Sequence, residues 1–95
     1  MRLEITLKAQ RDIYSLQEFG NANFGVIHTR KYLVSLTLTF KNLRERPELA
    51  RLREEYDGQV RIHTHKSHLI FYRIEGELVK ILRVLSRHQN WPERI

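Results

Sequence analysis

Imidazole and guanidinium side chains, which can transfer protons or bind phosphates, are concentrated in the last third of this 95-residue chain. Residues 59–95 hold seven Lys and Arg against three Asp and Glu, and four of the five histidines. Such groups can act as general acids and bases and can stabilise a developing negative charge. The groups that could supply this chemistry near one end of the predicted sheet are Arg61, His63, His68, Arg83 and His88.

A metal site is a second chemical reading of the same region. His63 and His65 alternate along a predicted strand, so both imidazoles face one side, and His68 is the only plausible third ligand. The chain has no cysteine and no carboxylate nearby in sequence. Solvated strand histidines explain the pattern better, so we predict neither a metal nor a cofactor.

The composition sets limits on the class of protein. A chain of this length forms one domain, residues 1–95, and buries only roughly 60% of the surface that its unfolded form exposes. A partner could supply part of the missing burial. The absence of cysteine fits a reducing compartment, and no run approaches the roughly 20 apolar residues that cross a bilayer. With no apolar signal segment after Met1-Arg2, we expect a cytoplasmic protein.

The N-terminal half reads as a strand followed by two helices. Apolar residues alternate at 3, 5 and 7, which predicts a strand, and helical spacing follows over Lys8–Phe19. We expect Gly20 to stop that helix and Asn21 or Asn23 to cap the next one. The run Phe24–Arg46 fits either period, but its length exceeds the roughly 3 to 10 residues of a strand and favours a helix.

This second helix would leave apolar surface uncovered. Val34 and Leu38 lie off its main apolar stripe, and Pro47 would end it. A further short helix is predicted over Glu48–Tyr56.

The C-terminal half reads as three antiparallel strands. After a turn at Asp57-Gly58, strands are predicted over 60–65, 68–74 and 77–86, with Glu75-Gly76 as the whole loop of the second hairpin. In that register Tyr72 faces Val79 and His68 faces Arg83. The predicted fold is therefore α+β: an N-terminal strand, a helical hairpin and a three-stranded antiparallel β-meander, with the helices on one face of the sheet.

With these elements in this order, the chain resembles the ParE toxins of type II toxin–antitoxin systems, within the RelE/ParE superfamily. The family's Phe-Gly pair is matched at Phe19-Gly20, and its strand motifs are matched by SHLIFY at 67–72 and ILRVL at 81–85. The second-helix pattern of the family is matched by Tyr32, Leu36, Phe40, Leu43 and Pro47. Two positions depart from the family, which usually has His where Ser86 stands and Asp where Asn90 stands.

The resemblance implies a RelE/ParE-like fold and a growth-inhibiting toxin of the kind that stabilises plasmids. It further implies that the toxin acts by binding DNA gyrase rather than by catalysis, and that a ParD-like antitoxin neutralises it in a hetero-oligomer. We predict that the basic end binds the target through Arg61, His68, Arg83, Arg87, His88 and Trp91. We predict that the antitoxin binds Lys31, Val34, Leu38, Tyr72 and Arg73, with an amphipathic helix over the exposed apolar positions.

Three other readings stay open. Relatives of this fold, the RelE and YafQ types, are ribosome-dependent mRNA endonucleases, a chemistry that needs a base for the 2′-hydroxyl proton and cations for the phosphorane charge. This alternative would make His63, Arg83 and His88 the catalytic set, although basic residues are easily found in a chain with seventeen Lys and Arg. A direct DNA-binding module is supported by charge alone and lacks a helix-turn-helix signature, so sequence-specific DNA binding is not expected. Arg83 could simply pair with Glu77 or with the C-terminus at Ile95, and Trp91 could pack on the sheet.

Overall fold

The computed structural model describes residues 1–88, so Trp91, Asn90 and the C-terminus at Ile95 lie outside it. The elements are β1 (Arg2–Ile5), α1 (Leu7–Phe24), α2 (Val26–Glu45), β2 (Arg61–His65), β3 (His68–Glu75) and β4 (Leu78–Ser86). The four strands form one sheet in the order β1-β4-β3-β2. Strand β1 pairs parallel to β4, and the other pairs are antiparallel. The predicted α+β fold is confirmed, and no helix within residues 1–88 is long and apolar enough to cross a membrane.

Helix α1 begins at a side-chain cap and continues past the predicted stop. The hydroxyl of Thr6 accepts from the N–H of Ala9 at 3.1 Å and donates to the carbonyl of Leu82 at 3.1 Å, which ties the helix start to β4. The prediction that Gly20 ends the helix is wrong. Gly20 is buried within α1, where a Cβ would lie 2.6 Å from the Thr29 hydroxyl oxygen, so the glycine permits a close helix crossing.

The joint between the helices is a single glycine. Gly25, with φ of 90°, follows the last residue of α1 and precedes the first of α2, a backbone conformation that favours glycine. The predicted asparagine caps are therefore wrong. The Asn23 amide donates instead to the Phe19 carbonyl at 2.8 Å within its own helix.

Helix α2 has one buried and one exposed apolar stripe. Leu36, Phe40 and Leu43 are buried, whereas Val34 and Leu38 are 56% and 54% exposed. The helix ends at Glu45, two residues before Pro47, as the sequence predicts. The exposed stripe is thus confirmed as unpartnered surface in this chain.

The segment between α2 and β2 is irregular, and the helix predicted over Glu48–Tyr56 is wrong. Its backbone pairs with the sheet edge, because Arg53 N–H donates to the Val60 carbonyl at 2.7 Å and Leu52 bridges Arg61. The segment brings Val60 and Tyr56 onto the sheet face opposite the helices. These non-local bonds replace those of a helical turn.

The core consequently has two parts, one on each face of the sheet. The helix side holds Leu36, Phe40, Leu43, Ile70, Tyr72, Val79, Ile81 and Val84. The other side holds Val60, Leu69, Phe71 and Leu85, with Tyr56, Ile62 and Leu82 packed against it.

The register of the second hairpin differs from the prediction. The loop is Gly76-Glu77, with Glu75 opposite Leu78, because Gly76 supplies the positive φ of 59° that a two-residue hairpin turn takes at its first position. Tyr72 therefore lies opposite Ile81 rather than Val79.

A β-bulge in β4, at Leu82 opposite the step from Phe71 to Tyr72, shifts the register again. Together with the shifted loop, the bulge places Arg83 opposite Phe71 and Ser86 opposite His68, so the predicted pairing of His68 with Arg83 is wrong. A bulge is an extra residue that a period-two pattern cannot reveal, and it redirects the side chains that follow it.

Candidate functional site

Arg83 forms an ion pair with Asp12 of helix α1. Its Nε donates to Asp12 Oδ2 at 2.7 Å, and its Nη2 donates to Asp12 Oδ1 at 3.0 Å. The hydrogen bonds that Arg83 donates to Asp12 raise the pKa of Arg83 above its ordinary value. The sequence suggested that Arg83 could pair with a carboxylate such as Glu77. Within the described residues its carboxylate partner is Asp12 instead.

His68 is joined to helix α2 by a short hydrogen bond. The Tyr32 hydroxyl lies 2.7 Å from its Nδ1 and 3.3 Å from the carbonyl of His65. Burial, and then the neighbouring His65, lower the pKa of His68. At neutral pH this imidazole is therefore an uncharged hydrogen-bonding group.

His65 is held by helix α2 through both ring nitrogens. Its Nε2 lies 3.0 Å from the Ser35 hydroxyl, and its Nδ1 lies 2.9 Å from the Thr39 hydroxyl. Burial lowers its pKa first, followed by repulsion from Lys66 and His63. Because both nitrogens already have protein partners, this imidazole serves structure. Within residues 1–88, no three His, Asp or Glu side chains are grouped closely enough to hold a metal ion.

The three residues of the RNA-cleavage reading are not joined. His63, in β2, lies opposite Ile70 of β3, and burial lowers the pKa of His63. His88 is exposed just after β4, while Arg83 is paired with Asp12. No hydrogen bond links any two of His63, Arg83 and His88 in the described part of the chain.

Two further arginines of the predicted target surface differ in their availability. Arg61 Nη1 donates to the Ala50 carbonyl at 2.6 Å and so supports the irregular segment. Arg87 is exposed, and its Nη1 donates to the Lys66 carbonyl at 3.4 Å. Trp91, the remaining member of that set, lies outside the described residues.

A cavity of about 750 Å³ opens between the helical hairpin and the ends of β3 and β4. Its walls include Leu16, Phe19, Phe24 and Val84, and its rim includes Tyr32, Ser67, His68, Ser86 and His88. The aromatic residues and Tyr32 were not expected at a site. The signal of the two phenylalanines in the sequence is the run 19–29, which has no Asp, Glu, Lys or Arg in a chain where 29% of residues are charged.

A shallow groove of about 280 Å³ lies along the exposed stripe of α2. Val34 and Leu38 line it, flanked by the exposed cations Arg30 and Lys41. Lys31, also predicted to bind an antitoxin, is exposed on the same helix.

The other two residues of that prediction lie in β3. Tyr72 is fully buried, and its hydroxyl donates to the Pro47 carbonyl at 2.8 Å, so it offers no side-chain surface to a partner. Arg73 is half-buried and paired with Glu75.

Comparisons with known proteins agree with one another. A family model described as the ParE toxin of the type II toxin–antitoxin system parDE matches residues 3–91. Toxin ParE1 of Caulobacter vibrioides is 27% identical over 86 residues, covering 90% of this chain and 88% of that protein. A chain from the solved chromosomal ParDE TA system of P. aeruginosa shares the fold with a TM-score of 0.79 at 22% identity, over 90% of this chain and 95% of that chain.

Proposed function

The chain belongs to the ParE toxin family of parDE type II toxin–antitoxin systems, and from this premise we propose that it arrests growth by poisoning DNA gyrase and is neutralised by a ParD-like antitoxin. The proposed mechanism is binding: the toxin stabilises the state of the topoisomerase in which DNA is cleaved. It acts in the cytoplasm, where both proposed partners are found.

The exposed stripe of α2 is the observation that carries the antitoxin partnership. Val34 and Leu38 are more than half exposed on one side of a helix, with Arg30 and Lys41 beside them. An amphipathic helix with apolar residues toward the groove and carboxylates at its edges would bury the stripe and pair with the cations. The small core of the chain gains burial in the same step.

The placement of Arg83 supports binding over RNA cleavage. A guanidinium that stabilises a phosphorane has to be free to face it, whereas two of the three guanidinium nitrogens of Arg83, Nε and Nη2, are bonded to Asp12. The exposed groups of the basic end, Arg87 and His88, suit contact with a macromolecule.

The experiment is controlled expression of the chain in bacteria, alone and together with its ParD-like antitoxin. We expect growth arrest with chromosome breaks, reversed by the antitoxin, while protein synthesis continues during the first minutes. Collapse of protein synthesis with cleaved mRNA before any DNA break would contradict the gyrase proposal and favour an mRNA endonuclease. Arrest that the antitoxin does not relieve would contradict the partnership.

A further inference from the structure

The cavity between the helical hairpin and the sheet is lined mainly by apolar surface, and its one described carboxylate is paired. Its volume of about 750 Å³ lies within the range of pockets that bind ligands. Asp12 is the one carboxylate among its described lining residues, and Arg83 and the Val84 N–H occupy its oxygens. Leu16 and Val84 provide apolar walls. The interior therefore favours a bulky apolar group over an ion.

Two cations adjoin one end of this cavity. Lys66 Nζ lies 5.7 Å from the centroid of the Tyr32 ring, which lines the cavity. Arg87 stands between the lining residues Ser86 and His88, and its backbone N–H donates to the Ser67 carbonyl at 3.0 Å. Neither cation forms an ion pair with a carboxylate anywhere in residues 1–88.

An apolar cavity beside unpaired cations is complementary to an acidic peptide that carries a large apolar side chain. We propose that this cavity anchors a Trp, Phe or Leu side chain from an acidic segment of the antitoxin, whose carboxylates pair with Lys66 and Arg87. The inference deepens the proposed antitoxin partnership and rests on it.

The cavity is a separate site from the α2 groove. Tyr32 and Val34 are two residues apart on α2, so at 3.6 residues per turn they project about 200° apart around the helix axis. One straight helix cannot cover both surfaces. The antitoxin engages them with two segments, and their linkage raises the affinity above that of either segment alone.

A nucleobase fits the same cavity less well. Lys66 and Arg87 would attract phosphates, but sequence-tolerant base binding needs exposed aromatic faces, and base readout needs free hydrogen-bonding groups. Phe19 and Phe24 are each 63% exposed, but their rings meet edge to face with a centroid distance of 6.2 Å, so they do not offer two parallel faces between which a base could stack. The Tyr32 hydroxyl already bonds to His68.

The first test uses a synthetic probe and the full chain labelled with ¹⁵N. The probe is the capped peptide Glu-Asp-Glu-Trp-Glu-Asp-Glu, titrated while amide shifts are followed. We expect saturable shifts at Phe24, Ser67 and Ser86, at least fivefold weaker binding when alanine replaces the tryptophan, and loss of binding in 0.5 M salt. Equal binding of the alanine peptide, or shifts away from these amides, would overturn the inference. So would binding of oligo-dT at the cavity in place of the peptide.

The second test uses the antitoxin and two variants. Ser15→Phe fills the cavity from an exposed lining position, and Lys66→Glu reverses a rim charge. Each should weaken antitoxin binding at least tenfold in calorimetry. Lys8→Glu, an equal charge change on the exposed side of α1, should leave it unchanged. The unfolding midpoint of each variant establishes that it is folded.

The outcomes separate the two proposals. If the antitoxin binds every variant equally, the cavity inference fails and the partnership stands. If the antitoxin does not bind the unmodified chain, the proposed partnership fails, and the inference that the antitoxin fills this cavity fails with it. The peptide titration then still decides whether the cavity accepts an acidic segment.

Discussion

Arg83 and Asp12, which are 71 positions apart in the chain, form a two-point ion pair between strand β4 and helix α1. Asp12 Oδ2 also accepts the N–H of Val84 at 3.0 Å, just after the bulge in β4. One carboxylate thus satisfies both a guanidinium and a backbone donor. This contact fixes β4 to the helical hairpin. Arg83, the arginine of that strand, therefore stabilises the fold.

Removing the carboxylate should destabilise the fold. Asp12→Ala leaves Arg83 and the Val84 N–H without their partner, and we expect a loss of about 2 to 3 kcal/mol in the free energy of unfolding. Asp12→Asn keeps an acceptor and should cost less. Urea unfolding measures both, with Glu54→Ala in the exposed loop as a control that changes stability by no more than about 0.5 kcal/mol. An Asp12→Ala chain as stable as the control would contradict this role.

Tyr72 should stabilise the irregular segment after α2. Its hydroxyl donates to the Pro47 carbonyl at 2.8 Å and accepts the Ala50 N–H at 3.3 Å. Tyr72→Phe leaves the Pro47 carbonyl and the Ala50 N–H without their hydrogen-bond partner in a buried site. We therefore expect the free energy of unfolding to fall by about 1 to 3 kcal/mol, with faster hydrogen exchange at the Ala50 amide. Tyr14→Phe, on an exposed side chain, is the matched control. Unchanged exchange at Ala50 in Tyr72→Phe would refute the assignment.

Stability should fall as the solution becomes acidic. The pKa values of His63, His65 and His68 are all lowered in the folded chain, with burial as the first cause of each. The unfolded chain therefore binds more protons once the pH drops below about 6.5, the ordinary pKa of histidine.

The contribution of these histidines is thus complete above that pH and is lost as the pH falls through the lowered pKa values. Urea midpoints at pH 7.5, 6.5 and 5.5 measure this loss, and His68→Gln should reduce the dependence. A midpoint that rises between pH 7.5 and 5.5 would show that the sign is wrong.

The exposed stripe of α2 should control antitoxin affinity without affecting the fold. Val34→Glu combined with Leu38→Glu places two carboxylates in the groove, and we expect at least about tenfold weaker binding in calorimetry. The unfolding midpoint should stay unchanged because both side chains are already exposed. Lys8→Glu changes the net charge equally and serves as the control. Full affinity in the double variant would remove the groove from the interface.

Most of the architecture follows from local sequence patterns. Alternation gives the strands, the long run without glycine gives α2, and Pro47 accounts for its end. The exposure of Val34 and Leu38 follows from helical periodicity alone. These features depend on neighbours a few residues apart, which a single sequence displays.

The wrong predictions arise where residues far apart in the sequence determine the local structure. Gly20 reads as a helix stop, yet its lack of a side chain serves the contact with Thr29 of the second helix. The bulge in β4 inserts one residue that periodicity cannot count, and it moves the partner of His68 by one residue, to Ser86. Asp12 resembles any other helix-surface carboxylate until β4 is placed beside it. The cavity likewise exists only once the hairpin is folded over the sheet.

The central claim, that the chain poisons gyrase by binding it, is tested most directly with purified gyrase, ATP, plasmid DNA and the toxin. The measurement is the fraction of plasmid trapped as linear DNA after denaturation, with and without antitoxin, beside a ribosome reaction in which mRNA integrity is followed. We predict linear DNA that increases with toxin, is suppressed by antitoxin, and is accompanied by intact mRNA. Normal supercoiling together with cleaved mRNA would contradict the account, and Arg83 would then have to be released from Asp12 to take part in that chemistry.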